Sequence, residues 1–323
     1  MKTLDVIVHA ISPAGTTGTS RSYELRAAAG STLPPFEAGA HIDVHPGPSL
    51  VRPYSLCNSP QDKGRYLICV RHDDAGRGGS RALRRDLTAG GRLRISPPRN
   101  HSPLVAAERH VPFAGGIGIT PPLSMAEALA ARGASFVPHH YTSSAAEAPP
   151  LERLRTSAFA ERTVIHHSDQ GDSVRAGLPA ELLVPEADTA VHVCGPDGFM
   201  PHVVTEATAA GRQPGQLHTE RFAPAAPPAA GDEVATESTV RIASTGIGHP
   251  VPADRTIADV LTAHGVEVEL SCEQGICGAC PTPVPDGEPD HRDEVQTPDE
   301  RAAGDRITIC CSRARTPELL LGL

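Results

Sequence analysis

Five of the eight cysteines of this 323-residue chain lie in its last 52 positions. Cys272, Cys277 and Cys280 fall in the run SCEQGICGAC with C-x4-C-x2-C spacing; after 29 intervening positions come the adjacent Cys310 and Cys311. That spacing is the plant-type pattern for a [2Fe–2S] cluster. Thiolates suit the task because they are soft, anionic ligands that bond ferric iron well. Gly275 and Gly278 let the segment curl until backbone N–H groups face the sulfurs, which helps set a reduction potential. The competing reading is a structural zinc site, but such sites use two short Cys pairs, which this spacing fits poorly. Buried thiols without any metal are a weaker reading still. Cys310 and Cys311 are neighbours on a predicted strand, so their side chains should point to opposite faces. Spacing alone does not choose between them as the fourth ligand.

Other segments carry different chemistry. In RPYSL (52–56), Arg52 could pair with a phosphate, Tyr54 could lie against an aromatic ring system, and Ser55 could hydrogen-bond a heteroatom. In GRGGS (76–80), Gly78 and Gly79 would let backbone N–H groups approach a phosphate, with Ser80 adding a further bond. AGGIGITP (114–121) stands between a predicted strand and a predicted helix, where a pyrophosphate can approach a helix N-terminus. Thr120 is expected to cap that helix and Pro121 to occupy its first position. CGPDGFM (194–200) follows another strand, and RF (221–222) ends the segment. Each has a plain alternative: an ordinary strand, a glycine turn, a core thiol, a packing aromatic.

These residues need elements to hold them. Residues 1–100 contain short alternating runs (TLDVIVHAI, SYELRA, HIDVH, RYLICVRH, GRLRISPP) between Gly- and Pro-rich turns, which predicts a small antiparallel β-barrel. Residues 104–222 alternate strand-like and helical runs: VPFAGG, TPPLSMAEALAARG, SFVPHHY, LERLRTSAFA, TVIHHS, PAELL, TAVHVCG, and a helix from about 198 to 210. That alternation predicts a doubly wound parallel sheet. Residues 223–237 (APAAPPAAGDEVATE) lack apolar periodicity and read as a linker. Residues 238–323 open with the strand STVRIAS, pass a hairpin turn into the helix TIADVLTAHG, and after the Cys loop and an acidic stretch end in the strand RITICCSRA. Thr256 should start that helix and Gly265 stop it.

The bulk numbers exclude some functions. Formal charge is −9, which disfavours nucleic acid as a partner. Residues 238–323 carry 7 Arg against 14 Asp or Glu, a net of −7, so an acidic C-terminal domain could steer onto a basic partner face. No run approaches the roughly 20 apolar residues of a membrane helix. The start, MKTLDVIVHAISPAG, reads as a first strand, not a secretion signal, so a cytoplasmic location is expected. Clustered cysteines there favour metal over disulfides.

In this order, RPYSLCN, GRGGS, PRNHSPL, AGGIGITPPLSM, HVCGPDGFM, RF, SCEQGICGAC, GEPDHRD and CCSRA resemble the motifs of the phthalate dioxygenase reductase family, over nearly the whole chain. The resemblance implies an FMN-binding β-barrel (1–103), an NADH-binding α/β domain (104–222), the linker (223–237) and a β-grasp ferredoxin domain (238–323). By it, Arg52, Gly78, Gly79 and Ser80 bind the FMN phosphate, and Tyr54 and Ser55 contact the isoalloxazine. Gly115, Gly116, Gly118 and Thr120 line the nucleotide site, and Cys194, Gly195 and Pro196 sit near the nicotinamide. Phe222 shields the flavin, and Cys310, not Cys311, completes the cluster with Cys272, Cys277 and Cys280. Ser55, Cys194 and Phe222 are then the residues at the reaction centre. The implied activity is NADH-dependent electron transfer by a monomer, through FMN and [2Fe–2S], to a separate Rieske-type oxygenase. A cytochrome P450 partner and a non-enzymatic redox sensor are the alternatives.

Four positions depart from the pattern. Pro122 falls in a first helical turn, where a missing N–H costs little. Pro138 interrupts an expected central strand, which should begin later or be irregular. TSSAAEAPP lacks an Arg or Lys for a 2′-phosphate, which favours NADH over NADPH. Pro281 and Pro283 follow the third ligand, where a strand is expected.

Overall fold

The alternating apolar runs of the first hundred residues pair into six antiparallel strands, β1 (Leu4–Ala14), β2 (Ser20–Ala27), β3 (His41–Gly47), β4 (Leu50–Ser55), β5 (Tyr66–Arg71) and β6 (Arg92–Ile95), in the order β4-β3-β6-β1-β2-β5. The computed structural model describes residues 3–47, 50–147, 151–224 and 237–323. Beyond β4 the chain pairs with β5: Leu56 bridges Ile68, and the Cys57 N–H donates to the Leu67 carbonyl at 2.9 Å. The two edge strands thus meet and close the barrel, which removes exposed strand edges. Its core is Val6, Val8, Leu25, Ile42, Leu56, Ile68 and their neighbours. After the GRGGS loop the chain forms a helix, α1 (Gly79–Asp86), that the sequence reading did not anticipate. Its buried face is only Gly79, Ala82 and Leu83, too short a stripe to stand out among the arginines.

The next segment alternates as expected: β7 (Arg109–Gly115), α2 (Thr120–Ala131), β8 (Ser135–Phe136), β9 (His139–Thr142), α3 (Leu151–Thr156), β10 (Val164–His167), α4 (Ala180–Leu183), β11 (Thr189–Cys194), α5 (Met200–Ala209) and β12 (Leu217–Glu220). The parallel sheet runs β10-β9-β7-β11-β12, with β8 beside β7. Pro138 separates β8 from β9, the local break its missing N–H imposes; its carbonyl still accepts from the Val164 N–H at 2.9 Å. β12 was not foreseen, and it carries the RF dipeptide at its end.

Besides the barrel's own core, barrel and sheet share a further one. Cys57, Leu67 and Cys69 of the barrel pack with Ala114, Ile119, Leu123 and Ala126, and the buried Ser124 hydroxyl donates to the Asn58 carbonyl at 2.9 Å. Residues 1–222 accordingly form one compact unit and 223–323 a second. Most of the expected linker, residues 225–236, lies outside the described residues.

The second unit has a sheet of β13 (Ser238–Ile242), β14 (Gly248–Val251) and a C-terminal strand, Glu318–Leu321, which pairs parallel with β13. Helix α6 (Ile257–Ala263) starts at Thr256, whose hydroxyl accepts from the Asp259 N–H while the Asp259 carboxylate accepts from the Thr256 N–H. Short strands β15 (Pro281–Pro283), β16 (Pro289–Asp290), β17 (Arg306–Thr308) and β18 (Arg313–Ala314) and the helix α7 (Pro298–Ala303) follow, before the C-terminal strand β19 (Glu318–Leu321). RITICCSRA is therefore not one strand but β17, a turn and β18. Pro281 and Pro283 are compatible with β15 because Val284 donates toward β17, to the Asp305 carbonyl at 2.8 Å. By alternation Thr282 faces β17 as well, so the two missing N–H groups lie on the opposite side.

Candidate functional site

Three constellations emerge, two in the first unit and one in the second. The first joins RPYSL to GRGGS. A Cβ on Gly79 would lie 2.6 Å from Arg52 Cγ and 3.1 Å from Tyr54 Oη. Gly78 precedes α1 with φ +88°, a conformation that suits glycine. Arg52 donates to the carbonyls of Val51 and Arg77, holding the guanidinium beside the glycine loop. The α1 N-terminus, with Ser80 in its first turn, thus meets a cation and an aromatic side chain, the elements of a phosphate-plus-ring site. Burial raises the Tyr54 phenol well above its usual value, so it stays protonated and can donate. Ser80 exchanges bonds with the Asp73 backbone, accepting from its N–H at 3.1 Å.

The second constellation lies where the parallel sheet reverses direction, between β7 and β11, the crevice in which open α/β sheets take ligands. A Cβ on Gly118 would stand 2.5 Å from the Cys194 carbonyl oxygen, 2.6 Å from its carbon and 2.7 Å from Gly195 Cα. One on Gly195 would meet Phe199 at 2.6 Å, and one on Gly115 would meet Pro196 and Phe199 at 3.0 Å. AGGIGITP and CGPDGFM therefore interlock backbone against backbone. Gly116, at φ +54°, opens a 3₁₀ turn, Gly116–Ile119, and its carbonyl faces His140 Nε2 at 3.0 Å. Thr120 does not cap α2 as expected. The extra turn makes Ile119 the capping position, and the buried Thr120 hydroxyl donates to the Ile117 carbonyl at 3.3 Å. Pro121 and Pro122 both fit the first helical turn.

One residue joins both sites, and the motifs did not point to it. Ser55 donates to the carboxylate of Glu220 at 2.9 Å, and Glu220 pairs in register with Cys194. Burial pushes the Glu220 carboxyl up from 4.5 to about 7, against hydrogen bonds from Ser55 and Ser102. Burial, then the nearby Glu220 charge, raises the Cys194 thiol well above its usual value, so it is neutral. The only sequence signal was an acidic residue two positions before Phe222. Phe222 itself is 41% exposed at the end of the unit. Because Glu220 binds its proton more tightly folded than unfolded, its stabilising contribution is complete below about pH 4.5. It declines as pH rises through about 7. Glu220→Gln is expected to flatten that decline by a few degrees of melting temperature between about pH 5 and pH 8, measured by thermal unfolding.

The third constellation is the cysteine loop. Cys272, Cys277, Cys280 and Cys310 are all buried. The Cys277 sulfur accepts from the Cys272 N–H at 3.3 Å, and the Cys272 sulfur accepts from Gln274 and Ile276 at 3.3 and 3.4 Å. Hydrogen bonds from the Cys277 and Cys310 thiols, aided by those two N–H groups, hold the Cys272 thiol far below its usual value. A bond from Cys310 likewise lowers Cys280. Among the described residues no three His, Cys, Asp or Glu converge on a point suited to one ion. A cluster of two irons instead asks for two thiolates on each. Cys272 and Cys277 share the loop, their sulfurs collect backbone N–H donors, and Cys280 and Cys310 are buried together in the core of the unit, a donor set that fits that group. Cys311 corrects an expectation: it lies in a turn after β17, not on a strand, so it does not face away from Cys310.

His166 and His167 are packing residues. The His166 ring stacks on Tyr141 at 3.9 Å between centroids and its Nδ1 meets Asp172 at 2.9 Å, while His167 Nδ1 meets the Thr142 hydroxyl at 3.0 Å.

Comparison with known proteins agrees with this architecture. Residues 240–315 match the family model described as a 2Fe-2S iron-sulfur cluster binding domain. The chain is 48% identical over 304 residues to vanillate O-demethylase oxidoreductase of Pseudomonas putida, covering 94% of this chain and 95% of that one. It superposes on the solved structure of phthalate dioxygenase reductase, described as a modular structure for electron transfer from pyridine nucleotides to [2Fe-2S]. That match has a TM-score of 0.72 and 35% identity, and covers 99% and 98% of the two chains. A self-sufficient cytochrome P450 monooxygenase gives a TM-score of 0.85 at 37% identity, covering 99% of this chain but 41% of that longer one. With a barrel, a parallel sheet and a cysteine-loop domain in the same order over the same length, the chain belongs to the phthalate dioxygenase reductase family and is an oxidoreductase.

Proposed function

We propose that this chain is the NADH-dependent reductase component of an oxygenase system, carrying electrons through FMN and a [2Fe–2S] cluster to a separate terminal oxygenase. The observation that carries the reading is the meeting of Ser55, Glu220 and Cys194, which sets the barrel's ring-binding strand against the mouth of the nucleotide crevice. When bound, the flavin accepts a hydride from the nicotinamide and releases electrons singly.

The chain's own residues do the positioning. Arg52, Gly78, Gly79 and Ser80 hold the flavin phosphate, and Tyr54 and Ser55 the ring. Gly115, Gly116 and Gly118 let the dinucleotide approach the α2 end, with Thr120 bracing the turn beneath it. Cys194, Gly195 and Pro196 bound the nicotinamide pocket; the neutral Cys194 thiol and the half-buried Glu220 place no fixed charge there at low pH. Phe222, exposed at the end of β12, covers the ring face until nucleotide binds. Cys272, Cys277, Cys280 and Cys310 hold the cluster. We assign 1–103 to flavin, 104–222 to nucleotide, 223–237 to the linker and 238–323 to the cluster. The protein acts as a cytoplasmic monomer; no described helix is long and apolar enough to cross a membrane.

Nucleotide choice follows from the loop after β9. Ser143 donates to the Glu147 carboxylate at 2.5 Å, and Asp169 is tied to the Ser143 carbonyl by its N–H at 3.0 Å. A 2′-phosphate there would meet carboxylates and no Arg or Lys from residues 139–147. NADH should exceed NADPH by at least about tenfold in kcat/KM, and equal rates would contradict the assignment. A Rieske-type oxygenase is the partner that the likeness to phthalate dioxygenase reductase favours; the P450-fused relative supplies the second reading. Anaerobic reduction of a purified Rieske-type oxygenase and a purified P450 by the NADH-loaded protein separates them. Faster reduction of the P450 would overturn the first.

A further inference from the structure

Cys311 is not accounted for by four-cysteine ligation. It follows β17 in a tight turn in which the N–H groups of Cys311 and Ser312 both donate to the Thr308 carbonyl, at 3.3 and 3.0 Å. In a helical turn neighbouring side chains diverge by roughly 100°, against about 180° on a strand. The two sulfurs are therefore not held on opposite faces. The Cys311 sulfur lies 2.5 Å from where a Gly275 Cβ would be. Gly275, at φ +75°, is the bend between Cys272 and Cys277. The fifth sulfur is thus seated against the middle of the ligand loop. It is less buried than the other four and has weak partners: the Thr308 carbonyl at 3.7 Å and the Ser312 hydroxyl at 3.8 Å.

We infer that Cys311 is a reserve ligand, able to take the iron position of Cys310 when that thiol is missing. Cys310 holds the position in the intact chain because its side chain is buried in the same core as Cys280, while that of Cys311 is only partly buried against it. With the Cys310 thiol absent, Cys311 would give its S–H proton to water and bind as a thiolate at the iron position left open, displacing only solvent; iron and sulfur would keep their oxidation states. The weak existing contacts make the movement small in cost, since no strong hydrogen bond is lost. This inference rests on the cluster assignment above, and the test keeps the two separate.

The experiment compares the full chain with Cys310→Ala, Cys311→Ala and the double variant. Iron and acid-labile sulfide are measured after purification, and electron paramagnetic resonance after dithionite reduction. Alanine is used because serine oxygen can itself bond iron. The expected result is that Cys310→Ala keeps at least about half of the wild-type iron with an all-thiolate spectrum, while the double variant keeps less than about a tenth. Equal iron in Cys310→Ala and the double variant would overturn the inference, whether both are empty or both loaded. Absence of iron from the wild type would instead overturn the cluster assignment. Cys311→Ala, loaded as wild type, shows that the turn tolerates alanine, and retained flavin in every variant shows that the first unit is folded.

Discussion

Gly118→Ala is expected to lower kcat/KM for NADH about 100-fold, or about 2.7 kcal/mol. The added methyl would stand 2.5 Å from the Cys194 carbonyl oxygen and 2.7 Å from Gly195 Cα. Both obstacles are backbone, fixed by the parallel pairing of β7 and β11, so no rotamer change relieves them. Overpacking of this kind costs about 1–3 kcal/mol in a well-packed region. The strain can be released only by separating the two loops that form the crevice between β7 and β11. Flavin content should stay near wild type, because the barrel has its own core. Gly177→Ala is the matched control: no atom lies within 4 Å of its Cβ position, and its NADH kinetics should be unchanged. Normal NADH kinetics in Gly118→Ala would show that the crevice is not the nucleotide site.

Cys280→Ala should have a comparably large but different effect. Cys280 is buried in the same core as Cys310 and has no cysteine beside it in sequence to replace it, unlike Cys310 itself. Iron should fall below about a tenth of wild type, since each thiolate is needed to close the cluster and ligation is coupled to folding of the loop. Electron delivery to an oxygenase should fall about 100-fold or more, while NADH bleaching of the flavin should stay within about twofold. The physical reason is modular: residues 1–222 and 223–323 are separate compact units with separate cores. A loss of flavin reduction in step with iron would contradict it.

Much of this architecture was legible because its signals are local. Period-two runs marked the barrel strands, alternating runs marked the parallel sheet, and C-x4-C-x2-C marked the cysteine loop. What escaped depended on contacts far apart in sequence. β12 and β19 are short strands whose place is set by pairing with β11 and β13. α1 buries too few residues to show a stripe. Glu220 gains its importance from Ser55, 165 positions earlier, and no spacing rule spans that distance. Cys311 was misplaced because RITICC reads as a strand by composition, while the Thr308 carbonyl bends the chain into a turn after only three strand residues. Pro138, by contrast, broke its strand where its chemistry said it would.

The most direct measurement is anaerobic stopped-flow mixing of the purified protein with NADH, followed at the flavin and iron–sulfur absorption bands. The flavin band should bleach first and the iron–sulfur band should follow, both in Cys311→Ala as in wild type and only the first in Cys280→Ala. Protein that carries no flavin, or an iron–sulfur band that bleaches with the flavin band untouched, would contradict the order of carriers proposed for this chain.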